Sequence, residues 1–228
     1  MAGNIVEQVD DQVKIKRVLA SVSDKSGLET FVPGLLAVSS DVVIYSTGGT
    51  YAAIRDILGD DAGKHLVQVS DYTGQPETQG GLVKTLDFKI YLGLLTETYN
   101  TSHQADLERT NGVPIDMVVV NLYPFRETVA KPDVTPEAAR ANIDIGGPCM
   151  VRASAKNYLR VASVTDPADY PAILEALQAG QGALSLQARF ELARKAFAHT
   201  AAYDAAIAQY LAGREHAEVN ACYTVMDA

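Results

Sequence analysis

The stretch Val42–Leu58, VVIYSTGGTYAAIRDIL, decides how the chain is read. A β-branched run stops at Ser46-Thr47-Gly48-Gly49-Thr50 and restarts at once in a helical pattern. A plain connection needs one turn residue, whereas this one supplies two adjacent glycines and three hydroxyls. Glycines let backbone approach a ligand closely. The free N–H groups that open the next helix carry roughly half a positive charge and suit phosphate. The competing reading is a tight strand-to-helix turn with Thr50 as a cap, and spacing alone leaves the two evenly matched.

Outward from that turn the chain alternates. Arg17–Val22 (RVLASV), Asp41–Tyr45 (DVVIY), the short HLVQV, the apolar run IDMVVVNLY and RVASVT read as strands. Between them KSGLETFVPGLLAV, Tyr51–Leu58, SHQADLERTN, TPEAARANI, PCMVRASAKN and PADYPAILEALQAG read as helices, the first weakened in its middle by Pro33 and Gly34. Thr135 and Pro136 make a helix start. SDYTGQPETQGG reads as a long polar loop and KIYLGLLT as a further strand. From Leu186 to Gly213 an alanine-rich segment reads as one long helix or two, with Leu186, Phe190, Ala193 and Phe197 as its apolar stripe. This order predicts an α/β fold: a three-layer α/β/α sandwich on a mostly parallel sheet, with a helical C-terminal portion. Such sheets bind ligands beyond the carboxyl ends of their strands. The residues found there are Ser21, Ser23 and Lys25, then Thr47, Gly48, Gly49 and Thr50, then Asn121 and Tyr123.

Bulk properties narrow the function classes. The chain has 228 residues, a net charge of −9 and only two cysteines, Cys149 and Cys222, outside any Cys-x-x-Cys pattern. An acidic whole argues against general nucleic-acid or anionic-membrane binding, which needs a basic surface, but not against a phosphorylated small molecule. The cysteine usage fits a reducing cytoplasm without structural zinc. No run of 18 apolar residues suggests a membrane span, and the acidic N-terminus does not read as a signal peptide. His65, His103, His199 and His216 form no metal or triad pattern, and Cys149 reads as a small packing residue. We therefore expect residues 1–16 as an N-terminal extension, 17–213 as the domain and 214–228 as a tail.

Two further constellations stand out. VKTLDFKIY places Lys84, Thr85, Asp87 and Lys89 after the polar loop, either as a self-neutralising solvated face or as site residues. NIDIGGPCMVRASAKN sets Asp144 before Ile145, Gly146 and Gly147 at a second anion-friendly helix start, with Arg152 and Lys156 four apart on one face. The plain alternative makes Asp144 a cap and Lys156 a surface charge.

In order and spacing, SVSDKSGL, STGGT, SDYTGQPE, VKTL, VVVNLYPF, NIDIGGP, AKN and KAFAHTAAYD resemble the inosine monophosphate cyclohydrolase domain of the bifunctional purine-biosynthesis enzyme. The resemblance covers about Arg17 to Leu211 and implies a sandwich like that of methylglyoxal synthase. It implies closure of 5-formamidoimidazole-4-carboxamide ribotide to inosine monophosphate, with no metal or organic cofactor. It carries over Ser21, Ser23, Lys25, Thr47, Gly48, Gly49 and Thr50 to the 5′-phosphate. Lys84, Tyr123, Asp144 and Lys156 become the catalytic group, with Lys84 on the carboxamide oxygen. Thr85, Asn121, Ile145, Gly146 and Gly147 become the lining of base and ribose. It also implies a cytoplasmic homodimer whose partner is a small purine ribotide. Because the larger formyltransferase domain is not in this sequence, we expect a stand-alone cyclohydrolase with a separate formyltransferase.

One segment departs from the family pattern. Where the family runs Gly-Arg-Val-Lys-Thr-Leu-His-Pro and then Lys-Ile-His-Gly-Gly, this chain has Leu82, Asp87, Phe88 and Tyr91 in place of the arginine, a histidine, the proline and the second histidine. Loss of an arginine contact with substrate costs about 1.5–3 kcal/mol, so either another basic residue replaces it, with Lys89 and Arg152 as candidates, or the site is altered. The departure favours a rival reading, a regulatory nucleotide-binding module of the same fold. Tyr123, Asp144 and Lys156 argue against it, since a phosphate binder needs none of them. Methylglyoxal synthase itself would need a histidine beside the phosphate turn, and none is suitably placed.

Overall fold

Strands buried on both faces read as unbroken apolar runs, and the longest such run, around Met117–Val120, lies beside the central strand of the sheet. The structure, a computed structural model, describes residues 5–76, 78 and 84–226. The first half contains β1 (Val13–Lys14), β2 (Arg17–Val22), α1 (Leu28–Val38), β3 (Val43–Ser46), α2 (Gly48–Leu58), α3 (Ala62–His65), β4 (Leu66–Gln68), α4 (Val69–Thr73), α5 (Phe88–Leu95) and α6 (Thr101–Arg109). The second half contains β5 (Met117–Asn121), α7 (Phe125–Val129), α8 (Pro136–Ala141), α9 (Gly146–Lys156), β6 (Ala162–Val164), α10 (Tyr170–Ala179), β7 (Ala183–Leu184), α11 (Leu186–Ala212) and α12 (His216–Asn220).

Five strands form one parallel sheet in the order β4-β3-β2-β5-β6, with Ala20 opposite Ser46 and Val22 opposite Asn121. Alternation sorts the side chains into two cores. Val18, Ala20, Val22, Met117 and Val119 face α1, α2 and α10, while Leu19, Val118 and Val120 face α5, α9 and α11. Each fully buried Val, Leu or Ile contributes about 1.5–3 kcal/mol, so both helical layers are held by the same strands. β1 pairs antiparallel with β7 away from this sheet.

The α/β/α sandwich read from the sequence is the architecture observed, with local corrections. KIYLGLLT is helix α5, not a strand. Its N-cap Asp87 accepts from the Lys89 N–H, and Ile90, Gly93 and Leu94 are buried at helical spacing. Gly93 lets that helix sit against the chain before β5, because a Cβ there would meet the Val113 carbonyl oxygen at 2.4 Å. The polar loop begins inside helix α4, which ends at left-handed Gly74 (φ 77°). Its later part, with Leu82, falls outside the described residues. Helix α1 runs unbroken through Pro33, and Gly34 admits the Leu174 side chain of α10. The stripe expected on α11 is rotated: Phe190 and Phe197 are exposed, and Arg189, Leu192, Ala193, Ala196, Thr200 and Tyr203 face inward.

Candidate active site

The strand order reverses direction between β2 and β5, so the crossovers on either side diverge and leave a crevice at the carboxyl ends of those strands. It encloses about 620 Å³, within the range of small-ligand sites. Ser21, Ser23 and Lys25 line it from the end of β2, and Asn121 and Tyr123 from the end of β5. Thr47, Gly48, Gly49 and Thr50 line it from the β3–α2 turn, Lys84 and Thr85 from the segment before α5, and Asp144, Ile145, Gly146 and Gly147 from the α8–α9 turn. Among the described residues its charged lining is Lys25, Lys84 and Asp144.

At the glycine turn, helix α2 starts at Gly48, three residues earlier than the apolar pattern suggests. The N-cap is Thr47, whose side chain makes no capping bond. Thr50 is not the cap. Its hydroxyl accepts from the Val22 N–H at 2.9 Å and donates to the Val22 carbonyl at 3.1 Å, fixing the turn to β2. The first amides of α2 therefore have no side-chain oxygen of their own to bind. Two ammonium groups stand over them. A Cβ added at Gly48 (φ 50°) would lie 3.3 Å from Lys84 Nζ, and one at Gly49 3.8 Å from Lys25 Nζ. A helix start without a side-chain cap, flanked by two lysines, is receptive to a dianion even in an acidic protein.

The opposite wall carries the acid. Asp144 Oδ1 accepts from the Gly147 N–H at 2.8 Å, so the carboxylate sits on the first turn of α9. Gly147 must be glycine, because a Cβ there would lie 2.5 Å from Asp144 Oδ2. Burial pushes the Asp144 carboxyl above its ordinary value, against the pull of the Gly147 and Tyr123 N–H groups. Thr85 is buried with its hydroxyl over Gly146, whereas Tyr123 and Ile145 are exposed at the mouth.

Two expected residues behave differently from the sequence reading. Asn121 reaches the crevice with its side chain already occupied. Oδ1 accepts from the N–H groups of Ser23 (2.7 Å) and Asp24 (2.8 Å), and Nδ2 donates to the Asp24 carbonyl at 2.8 Å, which shapes the β2–α1 loop. Lys156 does not line the crevice. It is exposed at the far end of α9, ten residues and about 15 Å of helix from Gly146. Neither expected replacement for the missing arginine arrives. Lys89 Nζ lies 5.6 Å from the centre of the Tyr72 ring and donates to the Tyr72 carbonyl, and the Arg152 guanidinium lies 5.6 Å from that of Phe197. Sequence reasoning missed Tyr203, whose hydroxyl holds the Asp144 backbone. Its only sequence signal is its place within KAFAHTAAYD. Among the described residues no group of three or more His, Cys, Asp or Glu is placed to hold a metal ion, and no helix is long and apolar enough to cross a membrane.

Fold and crevice together define an α/β domain in which an anion-receptive glycine turn and a half-buried carboxyl line one crevice at the switch point of a parallel sheet. An MGS-like domain model matches residues 28–149, and a model described as the AICARFT/IMPCHase bienzyme matches residues 154–227. The chain belongs to the MGS-like family. It is 50% identical over 203 residues to the bifunctional purine biosynthesis protein PurH of Magnetococcus marinus, which is 89% of this chain and 37% of that protein. The PurH of Neisseria meningitidis serogroup A is 51% identical over 86% of this chain and 36% of its own length. The PurH of a Synechococcus strain is 48% identical over 90% and 38%. The chain thus spans little more than a third of these relatives. The crystal structure of ForH matches with a TM-score of 0.70 at 35% identity, covering 86% of this chain and 97% of that one.

Proposed function

We propose that this chain is an inosine monophosphate cyclohydrolase, closing the second purine ring on 5-formamidoimidazole-4-carboxamide ribotide. The observation that carries this reading is the polarity of the crevice, lined by two lysines at an uncapped helix start and by a half-buried carboxyl on the α8–α9 turn. A ribotide has matching polarity, a dianionic tail and a neutral reacting head.

The carboxamide nitrogen attacks the formyl carbon and a C–N bond forms. The formyl oxygen leaves as water, taking one proton from the carboxamide nitrogen and one from the formamido nitrogen. Delocalisation makes that nitrogen a poor nucleophile, so holding it against the formyl carbon supplies much of the acceleration. Asp144, whose carboxyl burial holds above its ordinary value, is the group that accepts the carboxamide proton. The Tyr123 hydroxyl at the mouth serves the departing oxygen. Lys84 was expected at the carboxamide oxygen. With its ammonium beside Gly48, we assign it with Lys25 to the phosphate, and Lys156 takes no part. The same reading carries a cytoplasmic setting, a homodimer and an upstream formyltransferase, as the resemblance implies.

The test is to supply the formamido ribotide and follow the rise in purine absorbance. Lys84→Ala should raise KM by roughly ten- to hundredfold, the loss of one charge-assisted hydrogen bond, and change kcat only a few fold. Absence of turnover by the unaltered protein, with nucleotide still bound, would replace the enzyme with the regulatory reading. A kcat collapse at unchanged KM would return Lys84 to the reacting head.

A further inference from the structure

We infer that Tyr203, on the long helix α11, is a positioning residue that sets the reactive state of Asp144 through its backbone. This deepens the cyclohydrolase reading and rests on it. The Asp144 N–H donates to the Tyr203 hydroxyl oxygen at 2.8 Å, and that hydroxyl faces the Asn142 carbonyl at 3.4 Å. One buried phenol thus grips the α8–α9 turn on both sides of Ile143. The Tyr203 ring is 8% exposed and packs edge-on to Phe125, with centroids 6.2 Å apart. Phe125 follows Tyr123 by two residues, and the Arg126 guanidinium donates to the Ala202 carbonyl. Helix α11 therefore fixes both turns that face the glycine wall.

The consequence for Asp144 is specific. Its carboxyl is held in a half-buried place by two anchors, the Gly147 N–H on the side chain and Tyr203 on the main chain. With the second anchor cut, the Asp144 amide loses its partner and the turn swings toward water, where an amide finds a new one. The carboxyl then loses the burial that raises it. Other ionisable groups do not mask this effect. Lys25 and Lys84 share the crevice from the opposite wall, Tyr123 faces it from the β5–α7 turn, and Arg140 on α8 is paired outward with Glu137. Cys149 on α9 neighbours Tyr91, and Asp204 lies beside Tyr203 on its own helix.

Helix α11 also provides a matched control. Tyr210 packs edge-on to the same Phe125 ring at 5.9 Å, and its buried hydroxyl has no hydrogen-bond partner among the described residues. Y203F and Y210F each remove one buried hydroxyl from one aromatic cluster and keep its rings, but only the first cuts the bond to Asp144. The experiment titrates the aspartate carboxyl carbons by NMR in the unaltered protein and both variants, with the Asp144 signal identified by its loss in D144N. It also measures kcat and KM for the formamido ribotide. Y203F should move the Asp144 midpoint down toward the ordinary carboxylate value and lower kcat roughly three- to tenfold, with KM unchanged. Y210F should match the unaltered protein in both. An unmoved Asp144 midpoint in Y203F, or the same shift in Y210F, overturns the inference. If the unaltered protein fails to turn over the ribotide, the cyclohydrolase reading falls, and the carboxyl titration still decides whether Tyr203 governs Asp144.

Discussion

Asp144→Asn should lower kcat by about 10²- to 10⁴-fold, the usual reach of a positioned general base, and leave KM for the ribotide nearly unchanged. The two parameters should separate because the proposed binding mode holds the phosphate at the glycine turn with Lys25 and Lys84 and gives Asp144 no part in that grip. Asparagine keeps an oxygen for the Gly147 N–H, so the turn is retained while proton acceptance is lost. The pH profile gives a second, sharper signature. Burial raises the Asp144 carboxyl above its ordinary value of about 3.9. A base must be ionised, so activity falls as pH drops through the raised value, and that acid limb should vanish in the variant. Stability moves the other way. A carboxyl raised in the folded state favours folding fully below its unfolded value, and that contribution is lost as pH rises through the folded one. At neutral pH the ionised Asp144 therefore burdens the fold, and D144N should melt at the same temperature or higher. A variant that loses both activity and melting temperature would mean that Asp144 serves the structure and that another group takes the proton.

That combination of chemical value and structural cost also marks what a sequence can and cannot reveal. The parallel sheet was legible because its strands are buried on both faces, so their residues needed no partner to be recognised. The glycine turn was legible for the opposite reason: two glycines and three hydroxyls are more than a connection requires. Helix α5 was misread because a short apolar run fits either period, and its deciding signal, Asp87 as N-cap, resembled a charge in a solvated cluster. The α11 stripe was misplaced because burial of Arg189 runs against the ordinary preference of arginine, and the exposed Phe190 and Phe197 look like core. Lys156 entered the site only through the family resemblance, and nothing in its local sequence shows that an 11-residue helix carries it away from this crevice. Tyr203 was illegible, because its value lies in a bond to a backbone amide 59 residues away.

Replacing Arg189 by methionine should cost on the order of 3–5 kcal/mol of stability, since each buried carbonyl left unpaired costs about 1–3 kcal/mol, and the reason lies in the same helix that holds Asp144. Arg189 is fully buried, and its donors all go to main-chain carbonyls, while the nearby Asp11 and Asp10 carboxylates favour its charge without a direct bond. Nε reaches Tyr158 at 3.0 Å, Nη1 reaches Asp11 at 2.9 Å and Leu184, and Nη2 reaches Asp10 at 2.8 Å and Leu159 at 2.9 Å. One guanidinium thus ties the chain before β1, the end of β7 and the turn between α9 and β6. Methionine fills the volume but donates nothing, so buried carbonyls that lost water on folding gain no replacement. For a chain of this size the loss should lower Tm by on the order of 10 °C, and amide exchange should quicken first in residues 10–15. Arg194→Met, which removes an exposed pair with Glu191, should move Tm by a degree or two at most. Arg189 lies fourteen residues before Tyr203, about 21 Å along α11. At temperatures where the Arg189 variant remains folded, its kcat should therefore match that of the unaltered protein. A variant as stable as the original would show that water reaches those carbonyls when the guanidinium is gone. A stable variant with depressed kcat would show that the two halves of the helix are mechanically coupled.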